Sequence, residues 1–130
     1  MGAPGQRQNL RMSPLLAAAL EEARLLAGTR PWAVPSATTQ SEAERLLALL
    51  ARSWPAPAVR VEPSGAVVLA WECGPRGWLE LSLDGSATLA HSAVIDGDDF
   101  TQNEDFVGSL PAWPAELLRR LYRGSAPVRH

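Results

Sequence analysis

The first stretch of regular patterning repeats apolar residues at the spacing of an α-helix. It follows Ser13 and Pro14, a pair typical of a helix start because serine accepts a backbone N–H and proline suits the first helical position. The apolar positions are Leu16, Ala19, Leu20, Ala23, Leu26 and Ala27. This spacing predicts a first helix over residues 14–27, which Gly28 ends in the left-handed conformation.

A second helical repeat follows a connector that contains Trp32 and Pro35. Its apolar positions are Ala43, Leu46, Leu47, Leu50 and Trp54. A capping box can begin this helix in two ways, as Thr39 with Glu42 or as Ser41 with Glu44. We expect the helix to run to about residue 53, where prolines stop it.

From residue 58 the apolar period changes to two, which indicates β-strands. Glycine-containing turns divide the segment into strands near 58–62, 66–73, 77–83 and 86–95. In the first hairpin Val61 should oppose Val67, and in the second Trp71 should oppose Leu79. These pairings place the large apolar side chains on one face.

The third connection, around Asp84 and Gly85, allows two registers. A two-residue turn pairs Leu83 with Ser86, whereas a bulge at Gly85 pairs Leu81 with Ala87. A slip of one residue moves a strand's whole apolar set to the other face. We therefore prefer the second register, which keeps the leucines together.

Residues 96–105 contain five acids and no base, which favours a solvated loop after the last strand. A final helix is expected over residues 115–123, with arginines at its C-terminal end. The predicted fold class is α+β, with two N-terminal helices, a four-stranded antiparallel meander and a short C-terminal helix. It forms a single domain over residues 13–123, between a disordered N-terminus at 1–12 and a tail at 124–130.

Composition narrows the function classes. The chain has 130 residues, its 12 basic residues are all arginine, and 14 acids bring the formal charge to −2. This balance does not favour nucleic-acid binding, which needs a basic surface. No apolar run reaches membrane-spanning length, so we expect no membrane contact. A single cysteine, Cys73, excludes an intrachain disulfide and favours the cytoplasm.

Candidate chemistry is limited to the acidic loop, His91 and Cys73. A calcium loop that starts at Asp96 would need glycine at its sixth position, where the chain has Thr101. The preferred register puts His91 opposite Gly77 and near Cys73, yet a buried core histidine fits better than a catalytic one. We expect no catalytic residue, no metal and no cofactor.

An interaction surface is the stronger expectation. Alternation places Trp78 on the outer face of the sheet, beside Glu72. Either a helix covers this face, or it stays open as an apolar patch with a polar rim, as protein-binding surfaces do. We predict partner-binding residues on this face and in the acidic loop: Arg60, Val68, Trp78, Glu80, Asp98, Asp99 and Phe100.

The chain resembles a group of small uncharacterised bacterial proteins found on plasmids and other mobile elements. The likeness covers roughly residues 30–123 and lies in the Trp32 connector, the capped helix and the alternating motif that follows. That motif reads Pro57-x-Val59-x-Val61-x-Pro63-x-Gly65-x-Val67-x-Leu69-x-Trp71. The resemblance implies no catalytic residue, and the mobile-element context implies an inhibitor, antitoxin-like or immunity role.

These observations predict a non-enzymatic protein-binding module, an inhibitor, antitoxin-like or accessory protein with a protein partner. One alternative is a small metal-dependent hydrolase or nuclease that uses His91 with Asp96, Asp98 or Asp99. Another is a homodimer, formed through the edge of the fourth strand or through the open face of the sheet.

Overall fold

The computed structural model describes residues 13–123, and the predictions for residues 1–12 and 124–130 lie outside the described residues. The elements follow in the order α1 Pro14–Ala27, α2 Ala37–Ala51, β1 Ala58–Val61, β2 Val67–Glu72, a 3₁₀ turn at Gly74–Arg76, β3 Gly77–Leu83, β4 Thr88–Ile95, β5 Asp98–Asp105 and α3 Ala112–Tyr122. The α+β class and the antiparallel sheet are confirmed, with the helices before and after the strands.

The predicted bounds of α1 are confirmed. The Ser13 hydroxyl accepts the N–H of Leu15 at 3.1 Å, and Pro14 occupies the first helical position. The prediction of a left-handed residue at its end is wrong, because Gly28 has a φ of −75° and keeps the right-handed conformation. Its N–H donates to the carbonyl of Leu25, so the helix simply tightens in its last turn.

Neither predicted capping box begins α2. The cap is Ser36, whose hydroxyl accepts the N–H of Thr39 at 3.1 Å. The helix therefore starts before Thr39 and Ser41, the two predicted cap residues, and Glu42 takes no part in capping. Its side chain instead turns inward and is buried.

Within residues 13–123 the strands form one five-stranded sheet in the order β1-β2-β3-β4-β5. The predicted registers of the first two hairpins are confirmed, with Val61 opposite Val67 and Trp71 opposite Leu79. Both hairpins are short and local, so their glycine-containing turns determine which residues meet.

The prediction of a four-stranded sheet ending in an acidic loop is wrong, because residues 98–105 form β5. Asp96 and Gly97 have φ values of 54° and 86°, the positive values that a type I′ turn needs. This turn reverses the chain so that Asp98 pairs with Ile95 and Asp105 with Thr88. The edge of β4, one of the expected dimer contacts, is therefore occupied by β5.

Both registers considered for the third hairpin are wrong. Leu81 opposes His91, four residues beyond the partner that the preferred register assigned. The reason lies in α2, where the Glu42 carboxylate accepts the N–H of Gly85 at 3.1 Å and that of Ala87 at 2.8 Å. These bonds draw residues 84–87 out of the ladder. An even shift preserves the face, so the leucines still point inward as predicted.

The inward face of the sheet packs against the helices and forms the hydrophobic core. Strand residues of this core include Val67, Leu69, Trp71, Leu79, Leu81, Leu83, Leu89, Ala93 and Ile95. Helix residues that meet them include Leu16, Leu20, Leu46, Leu50, Leu117, Leu118 and Leu121. None of the helices in the described part of the chain has the length and hydropathy of a membrane span.

Candidate interaction surface

The outer face of the sheet carries the predicted interaction residues of β1–β3. Outward positions on these strands are Ala58, Arg60, Val68, Ala70, Glu72, Trp78, Glu80 and Ser82, and β4 and β5 continue the face with Ala90, Ser92, Val94, Asp99, Thr101 and Asn103. All the helices described between residues 13 and 123 contribute to the core on the opposite face. Of the two arrangements expected for this face, the described residues show the open one, with strands and helices in two layers.

Trp78 lies in the row of outward residues at one end of the sheet. It is directly opposite Glu72 on β2 and Val94 on β4, and Asp99 on β5 follows Val94 in the same row. The side chain is half-buried. An indole therefore lies among strands on a face without a described helix, with carboxylates on either side of it.

A groove of about 420 Å³ opens beside Trp78. Its lining residues are Ala58, Arg60, Ala70, Trp71, Glu72, Trp78 and Glu80. Ala58 and Ala70 are paired across β1 and β2, and Ala70 is paired with Glu80 across β2 and β3. Because the alanines are short, the row that contains them forms a depression between larger side chains. Ala58 was missed as a site residue, although alternation along β1 puts it on the face of Arg60.

Arg60 forms one wall of this groove and is held by two carboxylates. Its Nη1 and Nη2 donate to Glu80 at 3.3 Å each, and its Nε donates to Glu62 at 2.7 Å. These hydrogen bonds, led by those to Glu80, raise the pKa of Arg60 above its ordinary value. Since Glu80 lies two strands away, the arginine side chain crosses over β2.

Val68 is the residue that Arg60 crosses. It lies directly opposite Arg60 and is only 4% exposed, although its face has no described helix. Long charged side chains cover apolar surface with their methylene stems and keep the charge in water. The Arg60 stem thus closes the outer face over Val68, and the groove begins where that cover ends.

The predicted acidic-loop residues separate because they lie on a strand. Asp99 points to the outer face, in the row of Trp78, whereas Asp98 and Phe100 point toward α3. The Phe100 ring lies 6.2 Å from that of Trp113, and the Arg120 guanidinium lies 5.6 Å and 5.5 Å from the two ring centroids. Phe100 therefore anchors β5 to α3, and of these residues Asp99 alone joins the surface around Trp78.

His91 lies in the core, as the non-catalytic interpretation predicted, but not where the predicted register placed it. It is 4% exposed and opposes Leu81 and Gln102. Burial lowers its pKa, and the charge of Glu104, on the same face of β5, opposes that shift. Its Nδ1 and the Oε2 of Glu104 are buried without hydrogen-bond partners among residues 13–123.

The register also separates His91 from the other reactive candidates. Cys73 pairs with Gly77 at the far end of β3, where burial and a hydrogen bond with the cysteine raise the pKa of Tyr122 to about 12. The partner of His91 on β5 is Gln102. Asp98 lies four residues from Gln102 along the strand, about 13 Å at the usual rise per residue. The proximity of Cys73 and His91 that the preferred register implied is therefore absent, and His91 and Asp98 do not converge.

Among residues 13–123 no three His, Cys, Asp or Glu side chains are grouped so that they could hold a metal ion. Asp96 lies 3.2 Å from Arg76 in an ion pair that links the β4–β5 turn to the 3₁₀ turn. Comparison of the chain with family models, curated proteins and solved structures found no match. The outer face around Trp78 is therefore the candidate site with the clearest geometry.

Proposed function

We propose that this protein is a non-enzymatic protein-binding module and that the outer sheet face around Trp78 is its binding surface. The observation that carries the proposal is a half-buried indole on a sheet face without a described helix, at the edge of a groove of about 420 Å³. Tryptophan is enriched among the residues that contribute most to protein binding.

The composition of the surface supports this function. Small and apolar residues, Ala58, Ala70 and Val94, lie near Trp78, while Glu72 and the Arg60–Glu80 pair border them. An apolar centre inside a polar rim is the usual anatomy of a protein-binding surface. The ion pair holds one side of the groove in place, so a partner does not have to order it.

The resemblance to proteins of mobile elements supports a narrower role. The inhibitor, antitoxin-like and immunity roles that this resemblance implies all depend on binding another protein. We propose an inhibitor, antitoxin-like or accessory protein that acts in the cytoplasm. We expect its protein partner to bind the surface around Trp78.

The test begins with affinity purification of the full chain from cells of its source and identification of the proteins that bind it. Calorimetry with the purified partner then compares Trp78→Ala with Trp113→Ala. Trp113 is a matched control because it is a 39% exposed tryptophan on α3, on the other side of the sheet. We expect Trp78→Ala to weaken binding by about 2 kcal/mol or more, roughly 30-fold, and to leave the free energy of unfolding unchanged. Trp113→Ala should change affinity less than about threefold.

Three results would contradict the proposal. Equal affinity for the Trp78→Ala variant and the original chain would exclude this face as the binding surface. A mass of twice the monomer, reduced by Trp78→Ala, would show that the face binds a second copy. Stabilisation by Mg²⁺ or Mn²⁺ in thermal unfolding, lost in Asp98→Asn, would favour the hydrolase alternative.

A further inference from the structure

We propose that the groove beside Trp78 binds an arginine or lysine side chain of the partner protein. This inference rests on the proposed function and specifies the chemistry of the partner. It follows from the charge of the groove walls, the small residues of its floor and the position of the indole. Each of these features can be tested separately.

The charged side chains of the groove differ in whether they already have a partner of opposite charge. Arg60 is bound by Glu62 and Glu80, so it does not offer a free cation to an anionic ligand. Glu72 is exposed and has no cationic partner among residues 13–123. The charge that the groove offers to a ligand is therefore a carboxylate directly opposite Trp78.

The groove has a floor of small residues between larger side chains. Its floor contains Ala58 and Ala70, and the remaining lining residues are Arg60, Trp71, Glu72, Trp78 and Glu80. An extended side chain with an apolar stem and a cationic end fits these surfaces, because its stem contacts methyl groups and its end reaches Glu72. A guanidinium or ammonium group near the indole also gains a cation–π interaction.

The same recognition chemistry occurs elsewhere in this protein. The Arg120 guanidinium lies 5.5 Å from the Trp113 ring centroid, while its Nε donates to Glu116 at 3.0 Å. That site combines an indole, a carboxylate and an arginine from one chain. At the outer groove Trp78 and Glu72 provide the indole and the carboxylate, and the partner would provide the cation.

The wider charge of the outer face selects for a basic partner. Besides Arg60, the charged residues on outward positions of β1–β5 and the turn after β1 are Glu62, Glu72, Glu80, Asp99 and Asp105. This excess of carboxylates attracts a cationic surface and repels an anionic one. A second copy that used the same face would bring these carboxylates against each other, so the structure favours a different protein.

The experiment uses two short peptides as probes, one with a single arginine among glycines and blocked ends, the other with citrulline at that position. Citrulline keeps the shape of arginine and removes its charge. NMR spectra of the isotope-labelled full chain follow the indole N–H of Trp78, assigned from its loss in Trp78→Phe. We expect a saturable shift of the Trp78 indole and the Glu72 amide with the arginine peptide, and at least tenfold weaker binding of the citrulline peptide.

Two charge variants test the location. Glu72→Gln should weaken binding of the arginine peptide about three- to tenfold. Asp105→Asn removes the same charge from the same face at the far end of β5 and should leave binding within about twofold. Equal binding of both peptides, or shifts spread along residues 98–105 that persist in Glu72→Gln, would overturn the inference. The absence of any saturable shift at Trp78 would also overturn it.

The purified partner separates failure of this inference from failure of the proposed function. If Trp78→Ala abolishes partner binding while Glu72→Gln leaves it unchanged, the surface is correct and its basic ligand is wrong. If the arginine peptide binds in the groove but Trp78→Ala leaves partner affinity unchanged, the groove recognises cations and the partner binds elsewhere.

Discussion

The two faces of one sheet differ because helices pack against only one of them within residues 13–123. From Trp78 to Leu83 along β3 the burial alternates, with Leu79, Leu81 and Leu83 buried and with Trp78, Glu80 and Ser82 half-buried. Both sets lie on one strand, which is paired with β2 on one side and with β4 on the other. The difference shows that burial in this sheet is determined by the layer above each face, not by the strand itself.

Val68 refines this comparison, because it is buried on the face without described helices. The Arg60 side chain reaches across β2 to Glu80 and covers it. No comparable side chain crosses the next row in the described residues, where Ala58 and Ala70 line the groove beside Trp78. The inner face thus carries the hydrophobic core, whereas the outer face is only partly covered by its own side chains.

The largest effect on this comparison is expected from Leu81→Ala. Leu81 is fully buried on the inner face between Leu69 and His91, so truncation leaves a cavity that should reduce the free energy of unfolding by about 2–5 kcal/mol. The matched change Ser82→Ala, one residue further on the outer face, should stay within about 0.5 kcal/mol. Urea denaturation measures both. Similar values for the two variants would refute the contrast between the faces.

Next in size is Glu42→Ala. It removes the acceptor of the Gly85 and Ala87 N–H groups, two partly buried hydrogen bonds to a charged group, and their loss should cost about 1–3 kcal/mol. Urea denaturation should show that loss, and hydrogen exchange should accelerate at both amides. Glu44→Ala removes the same charge from the same helix and serves as the control. Slow exchange at Gly85 and Ala87 in the variant would show that Glu42 does not hold the loop.

A smaller effect concerns pH and His91. Burial lowers its pKa in the folded state, so between that value and its ordinary 6.5 the unfolded state binds more protons. The free energy of unfolding should therefore fall as the pH drops through 6.5 and level off below the folded pKa. His91→Gln should lack this component when both chains are measured by urea denaturation between pH 7.5 and 5. Parallel pH profiles would contradict the assignment.

The smallest effect is expected from Arg60→Ala on the outer face. Exposed ion pairs contribute about 0–1 kcal/mol, and the variant also uncovers Val68. As a control, Arg24→Ala breaks the exposed pair with Glu21 on α1. Arg60→Ala should reduce unfolding stability more than Arg24→Ala, by up to about 1 kcal/mol. Equal losses in urea denaturation would mean that Arg60 does not act as a cover.

Much of the fold could be predicted from the sequence because its signals are local. Ser13 and Pro14 begin α1 as expected, and short turns set the first two registers. A signal for β5 is also present, since Asp96-Gly97 is a two-residue turn sequence of the kind that joins antiparallel strands. The acidic composition after it favours a loop, but a strand at the edge of a sheet tolerates charged side chains.

The candidate site was predicted in part. Alternation correctly put Arg60, Val68, Trp78 and Glu80 on one face, because the side-chain period of a strand is two. Alternation could not be applied to Phe100, because the loop prediction gave it no strand; the residue lies on β5 and packs against Trp113. A residue assigned to a loop has no face, so its direction could not be derived until its strand was known.

The sequence by itself determined where α1 lies, how the first two hairpins close and which side the leucines face. These features depend on residues a few positions apart, through caps, turns and alternation. The tertiary structure decided the third hairpin, in which Glu42 binds an amide 45 residues away, and the pairing of β5 with β4. It also decided that the outer face stays open within the described chain. Such features depend on contacts between distant segments. The backbone groups that join strands are nearly the same in every residue, so they do not specify which strands pair.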